Sequence, residues 1–317
     1  MKTQAVVFDR PQHLSLRMLD LPELGEGEVS VAVEYSGIST GTERMLWDGT
    51  MPTFPGMGYP LVPGYEAVGR ITHVGQGVNL KVGQRLFVPG TNRWQGVHSL
   101  FGGAAAQLVT SDQRVVCVDD AWGQEAVLLA LAATAYHAVS GGGLQAAFAP
   151  PELIIGHGVM GRLLARLTVA SGAPAPVVWE TQAARCTGAR GYTVMHPNDD
   201  PRRDYGTVYD VSGDATQLNA WIARMRPGGE LVLAGFYKQD IQFAFAPAFM
   251  REVRLRIAAQ WRHPDLQAVT QLVHDGRLSL DGLVTHTQVP AHAHQAYTDA
   301  FGDVDCLKMV LNWSGHA

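Results

Sequence analysis

The sequence predicts an α/β chain of two domains, a β-rich unit at the N-terminal end followed by a doubly wound parallel sheet. Its 317 residues exceed the roughly 150 expected of one domain. Residues 1–110 contain short strand-like runs separated by glycine and proline, a pattern typical of a compact β unit. After residue 124, apolar strands alternate with helical segments, which indicates parallel βαβ units.

The β-rich unit is predicted from four apolar runs bounded by turn residues. These runs are Thr3–Phe8, Val29–Tyr35, Ala67–Val74 and Arg85–Val88. The tripeptide Gly75–Gly77 and the pair Val82-Gly83 have the composition of hairpin turns.

The second unit is predicted from apolar strands that alternate with helices. The strands are Leu153–Ile155, Val177–Trp179, Thr207–Val211, Glu230–Ala234 and Val253–Ala259. The helices are Gln124–Gly141, Met160–Ser171 and Ala215–Arg224. The tail that follows is predicted to be mixed, with helices at Pro264–Asp275 and His292–Phe301 and a last strand at Cys306–Leu311. We therefore expect one domain from residues 1–129 and 261–317, and the other from residues 130–260.

Composition and charge exclude several classes of protein. The chain is 46% hydrophobic and 17% charged, and it can therefore bury a sizeable core. Its net charge is −5 without a basic block, so we expect no nucleic-acid partner. An apolar run of about 18 residues, as an integral membrane span requires, is absent. Asp9 and Arg10 interrupt any signal-peptide core, and the three dispersed cysteines fit a reducing compartment, so we expect a cytoplasmic protein.

A G-x-G-x-x-G motif follows the strand Leu153–Ile155 and opens a helix. Its residues are Gly156, His157, Gly158, Val159, Met160 and Gly161. In this context the glycines permit a tight turn, close approach of a pyrophosphate and close packing of helix on strand. The helix N-terminus supplies free N–H groups to the phosphates, and the motif therefore predicts a dinucleotide site.

Glu180 ends the next strand, about 20 residues beyond the motif, where an acid hydrogen-bonds the adenosine ribose. A carboxylate there repels a 2′-phosphate and favours NAD over NADP, although nearby Arg185 weakens this preference. Ser212 and Gly235 follow two further strands and are candidates to border the nicotinamide. A solvated acid at 180 and ordinary turn residues at 212 and 235 are the alternatives.

Four segments resemble the medium-chain dehydrogenase/reductase superfamily. They are Ala5–Phe8, Gly64–Gly69, Ala133–Ala138 and the glycine motif. The resemblance implies a GroES-like β-rich catalytic domain and a Rossmann domain that binds a nicotinamide cofactor.

A closer similarity is to one branch of this superfamily. It is carried by Ser36–Trp47, Met51–Glu66, Leu100–Ala105 and Trp179–Thr181. That branch oxidises the 3-(1-hydroxyethyl) group of bacteriochlorophyllide a to a 3-acetyl group with NAD, in bacteriochlorophyll a biosynthesis. The alternatives are a zinc-free NAD(P)H quinone or enoyl reductase and a non-catalytic protein that binds a nucleotide or a pigment.

The resemblance to zinc dehydrogenases does not extend to their metal ligands. Ser39-Thr40 and Tyr65 stand where that family has cysteine and histidine, and Leu129–Ala135 offers neither cysteine nor glutamate. Hydroxyl groups are poor zinc ligands, so we expect no protein-bound zinc and hydride transfer without it. A general base must then accept the alcohol proton. The candidate catalytic residues are Tyr65, His137, Glu66, Glu43, Ser39 and Thr40, and packing roles remain open for each.

Tyr65 would need its pKa lowered, and Arg44 is the nearest candidate to do so. A flat macrocycle with a propionate and a magnesium ion needs aromatic walls and a cation. Two loops offer Trp47, Phe54, Met57, Tyr59, Arg93, Trp94, His98 and Phe101 as substrate contacts. Either Arg93 or Arg44 suits the propionate, and His98 suits the magnesium. The alternative is that these loops pack on their own domain and do not contact a substrate. A homodimer is a candidate assembly because members of the superfamily are commonly dimers or tetramers.

Overall fold

A computed structural model of the chain describes residues 2–53, 55–140 and 149–315. The chain divides into two compact units, residues 1–130 with 280–317 (unit 1) and residues 131–279 (unit 2). The predicted combination of a β-rich unit with a doubly wound parallel sheet is confirmed.

Unit 1 is built from two sheets. Its strands are β1 (Lys2–Arg10), β2 (His13–Asp20), β3 (Glu28–Ile38), β4 (Ala67–Val74), β5 (Arg85–Val88), β6 (Gln107–Ser111), β7 (Val116–Cys117), β14 (His286–Gln288) and β15 (Met309–Asn312). β1 and β2 form an antiparallel pair. The other strands follow the order β14-β15-β3-β4-β5-β7, and β6 also pairs with β3.

The core of unit 1 is formed by apolar residues of both sheets and of two helices. Strand β1 buries Val6, Val7 and Phe8 completely, as its unbroken apolar run predicts. Helices α1 (Thr42–Asp48) and α7 (Ala293–Gly302) complete the unit.

Unit 2 contains a six-stranded parallel sheet in the order β10-β9-β8-β11-β12-β13. The strands are β8 (Leu153–Ile155), β9 (Val177–Trp179), β10 (Thr193–Met195), β11 (Tyr205–Asp210), β12 (Met225–Leu233) and β13 (Arg254–Ile257). The helices are α2 (Leu129–Val139), α3 (Val159–Ala170), α4 (Leu218–Ile222), α5 (Phe245–Met250) and α6 (His263–His274). The strand order reverses between β8 and β11, and sheets of this type bind ligands at that point.

Two differences from the sequence expectation concern the type of one helix and the position of a domain boundary. The predicted helix Gln124–Gly141 is a 3₁₀ helix up to Leu128 and an α-helix over Leu129–Val139, and its last predicted residue, Gly141, lies outside the described residues. The second domain boundary was expected at residue 260, whereas unit 2 extends to residue 279. Helix α6 belongs to unit 2 because Asp265, at its first turn, hydrogen-bonds His137 on α2.

Within residues 2–53, 55–140 and 149–315, we find no helix with the length and apolar character needed to cross a membrane.

Candidate active site

The glycine motif lies in the turn from β8 to α3. Gly156 has a φ of +104°, which L side chains rarely adopt. A Cβ on Gly161 would lie 1.8 Å from the Gly156 carbonyl oxygen, so helix and strand approach as closely as their backbones permit. Gly158 is the N-cap of α3 and supplies no side-chain cap, which leaves the first N–H groups of the helix available to an anion.

Glu180 follows β9 and is nearly buried beside this turn. Its Oε2 accepts from the backbone N–H of His157 at 3.0 Å, and its Oε1 accepts from those of Thr181 and Gln182 at 2.8 Å. Since a carboxylate offers about four acceptor positions, one remains for a ribose hydroxyl. The acid is thus fixed against the glycine turn, where sequence reasoning expects it.

The side chain of His157 ties the turn to the following loop. Nδ1 lies 2.6 Å from the carbonyl oxygen of Arg185, and Nε2 lies 2.9 Å from the hydroxyl of Tyr192. Burial lowers the pKa of His157 to about 4, so the ring is neutral at pH 7. Arg162 on α3 donates to the carbonyl oxygens of His157 and Arg185, and sequence reasoning missed this arginine.

Asp210 ends β11 on the other side of the switch point. Its Oδ1 accepts from the N–H and hydroxyl of Ser212, and Tyr237 donates to its Oδ2. Its backbone oxygen accepts from the N–H of Gly235 at 2.9 Å. Ser212 and Gly235 are therefore brought together by one residue, Asp210, and burial raises the pKa of its carboxyl group.

In unit 1, two candidate catalytic hydroxyls lie in contact. Tyr65 donates a hydrogen bond of 2.6 Å to the Oγ of Ser39, and its ring lies 4.8 Å from that of Phe101. Ser39 is buried, whereas Thr40 is exposed. We call Ser39 and Tyr65 the hydroxyl pair.

Tyr65 does not have the lowered pKa that sequence reasoning required of a tyrosine base. Burial raises its pKa above the ordinary value, and the nearby Glu66 and Glu43 raise it further. Arg44, the residue expected to lower the pKa of Tyr65, is exposed, and its Nε lies 3.8 Å from the Oδ2 of Asp48. Tyr65 is therefore a neutral hydrogen-bond donor.

Two buried acids lie beside the hydroxyl pair. Glu43 accepts from the backbone N–H of Ser39 at 3.3 Å and from the hydroxyl of Tyr297 at 3.0 Å. Burial and the charge of Glu66 raise the pKa of Glu43 to about 8. Glu66 accepts two hydrogen bonds from Lys308. Sequence reasoning missed Lys308 and Tyr297, and the only signal was a lysine inside the apolar run Cys306–Leu311.

His137, the remaining candidate base, lies in unit 2. Its Nδ1 is 2.7 Å from the Oδ2 of Asp265, and that same oxygen caps α6 by accepting from the N–H of Arg262. The pair joins α2 to α6, as expected of a buried structural histidine.

The first loop of expected substrate contacts packs largely on unit 1 itself. Trp47 lies against Phe8 and Tyr297, with ring centroids at 5.6 and 6.3 Å. Tyr59 donates to the carbonyl oxygen of Leu46, and Met57 packs against the core. Phe54 lies outside the described residues.

The second loop divides between buried and open side chains. Trp94 is buried and donates to the carbonyl oxygen of Gly102 at 2.9 Å, and Arg93 pairs with Glu28 at 2.9 Å. Neither is free for a substrate in this arrangement. The side chain of His98 is exposed and its ring lies beside Gly58. Phe101 has a φ of +82°, and its ring contacts that of Tyr65. Of this loop, Arg93 and His98 are exposed and Phe101 is half-buried, and Arg93 is held by its ion pair.

The donor set does not suit a zinc ion. Ser39, Thr40 and Tyr65 present hydroxyl groups, and both carboxylate oxygens of Glu66 are engaged by Lys308. Across the described part of the chain, no three His, Cys, Asp or Glu side chains are grouped to hold a metal.

The fold and the glycine turn define the class of protein. Residues 25–120 match the alcohol dehydrogenase GroES-like domain family. The 2R,3R-butanediol dehydrogenase of Bacillus subtilis has a similar fold, with a TM-score of 0.83 at 20% identity over 98% of this chain and 99% of that one. The chain therefore contains an alcohol dehydrogenase GroES-like domain and shares the fold of this dehydrogenase.

Two relatives are much more similar in sequence. Both carry the name 2-desacetyl-2-hydroxyethyl bacteriochlorophyllide A dehydrogenase. The Rhodobacter capsulatus protein is 52% identical over 99% of both chains, and the Cereibacter sphaeroides protein is 48% identical over the full length of both. The chain belongs to the family of these two dehydrogenases.

Proposed function

We propose that the protein oxidises the 3-(1-hydroxyethyl) group of bacteriochlorophyllide a to an acetyl group, with NAD as hydride acceptor and without a protein-bound metal. The proposal depends first on the similarity to two relatives of that name at about half identity along the whole chain. The dinucleotide turn and the hydroxyl pair are the chemical groups that this reaction requires.

The preference for NAD is inferred from Glu180. NAD supplies the nicotinamide that accepts a hydride. Gly158 and the N-terminus of α3 suit its pyrophosphate, and the remaining acceptor position of the Glu180 carboxylate suits a ribose hydroxyl. The carboxylate of Glu180 would repel the negatively charged 2′-phosphate of NADP, which disfavours that cofactor. Quinone and enoyl reductases of this superfamily prefer NADPH, so the same residue argues against that alternative.

The proton chemistry is assigned to unit 1. In place of a metal, we propose that the hydroxyl pair hydrogen-bonds the alcohol oxygen of the substrate. Tyr65 donates to Ser39, which leaves the hydroxyl hydrogen of Ser39 free to be donated in turn. Glu43 accepts from the backbone N–H of Ser39 and not from its hydroxyl, and its pKa of about 8 keeps it largely protonated at neutral pH, so it is not assigned as the base. During oxidation the alcohol proton passes to the oxygen of Ser39 as the two hydroxyls reverse their hydrogen bond, and the proton of Tyr65 leaves to water.

Substrate contacts are proposed at His98, which is exposed, and at Phe101, which is half-buried. Phe101 already packs on Tyr65 and so offers an aromatic face beside the hydroxyl pair. His98 carries an imidazole suited to the axial position of a magnesium ion.

A homodimer through the edge of the parallel sheet is part of the proposal. β13 ends the strand order, so its outer edge has no strand partner among the described residues. Large apolar side chains are exposed on β13 and on the preceding helix α5: Phe245, Phe249, Met250, Leu255 and Ile257. Apolar exposure beside a free strand edge is typical of a surface covered by a second copy. Ile257→Lys should convert the dimer to a monomer in sedimentation analysis, and a wild-type monomer would contradict it.

A cytoplasmic location is inferred from the cysteines. Cys117, Cys186 and Cys306 are free thiols, as expected in a reducing compartment. Fractionation of cells that make the protein tests this location.

The deciding experiment supplies purified protein with the hydroxyethyl bacteriochlorophyllide and either NAD or NADP. We expect the acetyl product to form together with NADH, and at least about tenfold faster with NAD than with NADP, as one unpaired charge contact implies. Reduction of quinones by NADPH without alcohol oxidation would favour the reductase alternative. NAD binding without any turnover would favour a binding protein.

A further inference from the structure

Lys308 is a fully buried cation that precedes β15 and has no part in the proposed hydride or proton transfer. Its Nζ donates to both carboxylate oxygens of Glu66, at 2.9 and 2.7 Å, and to the carbonyl oxygen of Ile38 at 3.2 Å. Removing an ammonium and a carboxylate from water is costly, and a buried ion pair is weak evidence of a stabilising role. The pair therefore calls for another explanation.

The partners of Lys308 stand directly beside the hydroxyl pair in the chain. Ile38 immediately precedes Ser39, and Glu66 immediately follows Tyr65. One ammonium group thus joins the two backbone segments whose side chains meet at 2.6 Å.

Gly37 shows how closely these two segments approach. Its N–H donates to the backbone oxygen of Glu66 at 2.9 Å, and a Cβ at this position would lie 2.2 Å from the carboxylate oxygen that Lys308 binds. The segments are therefore joined at the backbone by Gly37 and at the side chain by Lys308.

The charges around Lys308 support the same interpretation. Burial raises the pKa values of Glu66 and Glu43, and the ammonium group of Lys308 lowers both. The other titratable groups that face this cluster are the phenols of Tyr65 and Tyr297, whose pKa values are raised by burial. Lys308 is the cation that offsets the two acids beside the hydroxyl pair.

We propose that Lys308 is a positioning residue for the hydroxyl pair: its bonds to Ile38 and Glu66 hold Ser39 and Tyr65 at hydrogen-bonding distance. This inference rests on the proposed function only for its kinetic consequence. Its structural content, the placement of Tyr65, is measurable without turnover.

The test uses the double variant Glu66→Gln/Lys308→Met, which removes both charges and leaves no buried ion unpaired. The matched control is Glu34→Gln/Arg85→Met. It removes the ion pair between the buried Arg85 and Glu34, in which the Nε of Arg85 lies 2.7 Å from the Oε2 of Glu34. We expect the NMR signal of isotope-labelled Tyr65 to shift in the first variant and not in the control. An unmoved Tyr65 signal in a folded Glu66→Gln/Lys308→Met protein would overturn the proposal.

A double-mutant cycle supplies the kinetic arm. We expect the Glu66→Gln/Lys308→Met changes to lower kcat about tenfold in the wild-type background and less than about twofold when Tyr65 is already Phe, because coupled residues are not additive. The NAD dissociation constant, which depends on unit 2, should stay unchanged. An equal loss in both backgrounds would show that Lys308 acts only on stability and would overturn the proposal. A shifted Tyr65 signal in a protein whose wild type never turns over would instead contradict the proposed function alone.

Discussion

The candidate sites of the two units are built from different parts of the chain. In unit 2 the contacts at the glycine turn are mostly backbone groups: the N–H groups of His157, Thr181 and Gln182, and the free N-terminus of α3. In unit 1 the contacts are side chains: the hydroxyls of Ser39 and Tyr65, and the buried charges beside them.

This difference separates a general function from a particular one. A site made of backbone groups depends on the path of the chain, and many dehydrogenases can share it. A site made of side chains changes with single substitutions, because each hydroxyl or carboxyl group belongs to one residue. We therefore expect changes in unit 2 to affect cofactor binding, and changes in unit 1 to affect turnover.

The largest effect is expected at Gly161. Gly161→Val places side-chain atoms where a Cβ alone would lie 1.8 Å from the Gly156 carbonyl oxygen, and the turn must open. We expect NADH affinity to fall by at least about 10³-fold, which corresponds to roughly 4 kcal/mol. Fluorescence titration of NADH measures it. Gly302→Ala, at a position with open space, is the control. Affinity within threefold of wild type would show that this turn does not hold the cofactor.

Glu43 should make the free energy of unfolding depend on pH, and Glu43→Gln should remove that dependence. Its pKa rises from 4.5 to about 8 on folding, so between these values the folded state holds a proton that the unfolded state releases. Stability is therefore greatest below pH 4.5 and falls as the pH rises towards 8, by on the order of 5 kcal/mol. Chemical denaturation at several pH values should show this fall in wild type and in the exposed control Glu23→Gln. The same fall in Glu43→Gln would contradict the assignment.

The hydroxyl pair is tested by Tyr65→Phe. We expect kcat to fall about 10²-fold, as is typical on loss of a group that assists proton transfer, with NAD affinity unchanged. His137→Gln is the informative comparison. It should keep kcat near wild type and lower thermal stability, because His137 joins two helices through Asp265. The opposite result, with turnover lost in His137→Gln and retained in Tyr65→Phe, would transfer the proton chemistry to the histidine.

The smallest effect is expected at Glu180. Glu180→Gln keeps the shape of the side chain but removes the charge that disfavours a 2′-phosphate. We expect the preference for NAD over NADP to fall about tenfold, or roughly 1.4 kcal/mol. Comparison of kcat/KM for the two cofactors measures it. An unchanged preference would assign cofactor selection to another residue of the same loop.

The units also differ in how much the sequence could predict. β8 and β9 have the predicted bounds, and the glycine turn and Glu180 lie where expected, since all depend on residues close together in the chain. The cluster of Glu43, Glu66, Tyr297 and Lys308 in unit 1 could not be predicted from local sequence patterns. Glu66 and Lys308 are 242 residues apart in the chain, and Glu43 and Tyr297 are 254 apart. The expected contacts Trp47 and Trp94 proved to pack on unit 1, since residue type alone does not distinguish a pocket wall from a core.

The most direct test of metal-free catalysis is turnover of hydroxyethyl bacteriochlorophyllide with NAD after exhaustive treatment with a chelator, with the protein's metal content measured in parallel. We predict that NADH and the acetyl product form at the untreated rate in protein that contains no stoichiometric zinc. Turnover that is lost on chelation and restored by zinc would contradict the role assigned to Ser39 and Tyr65.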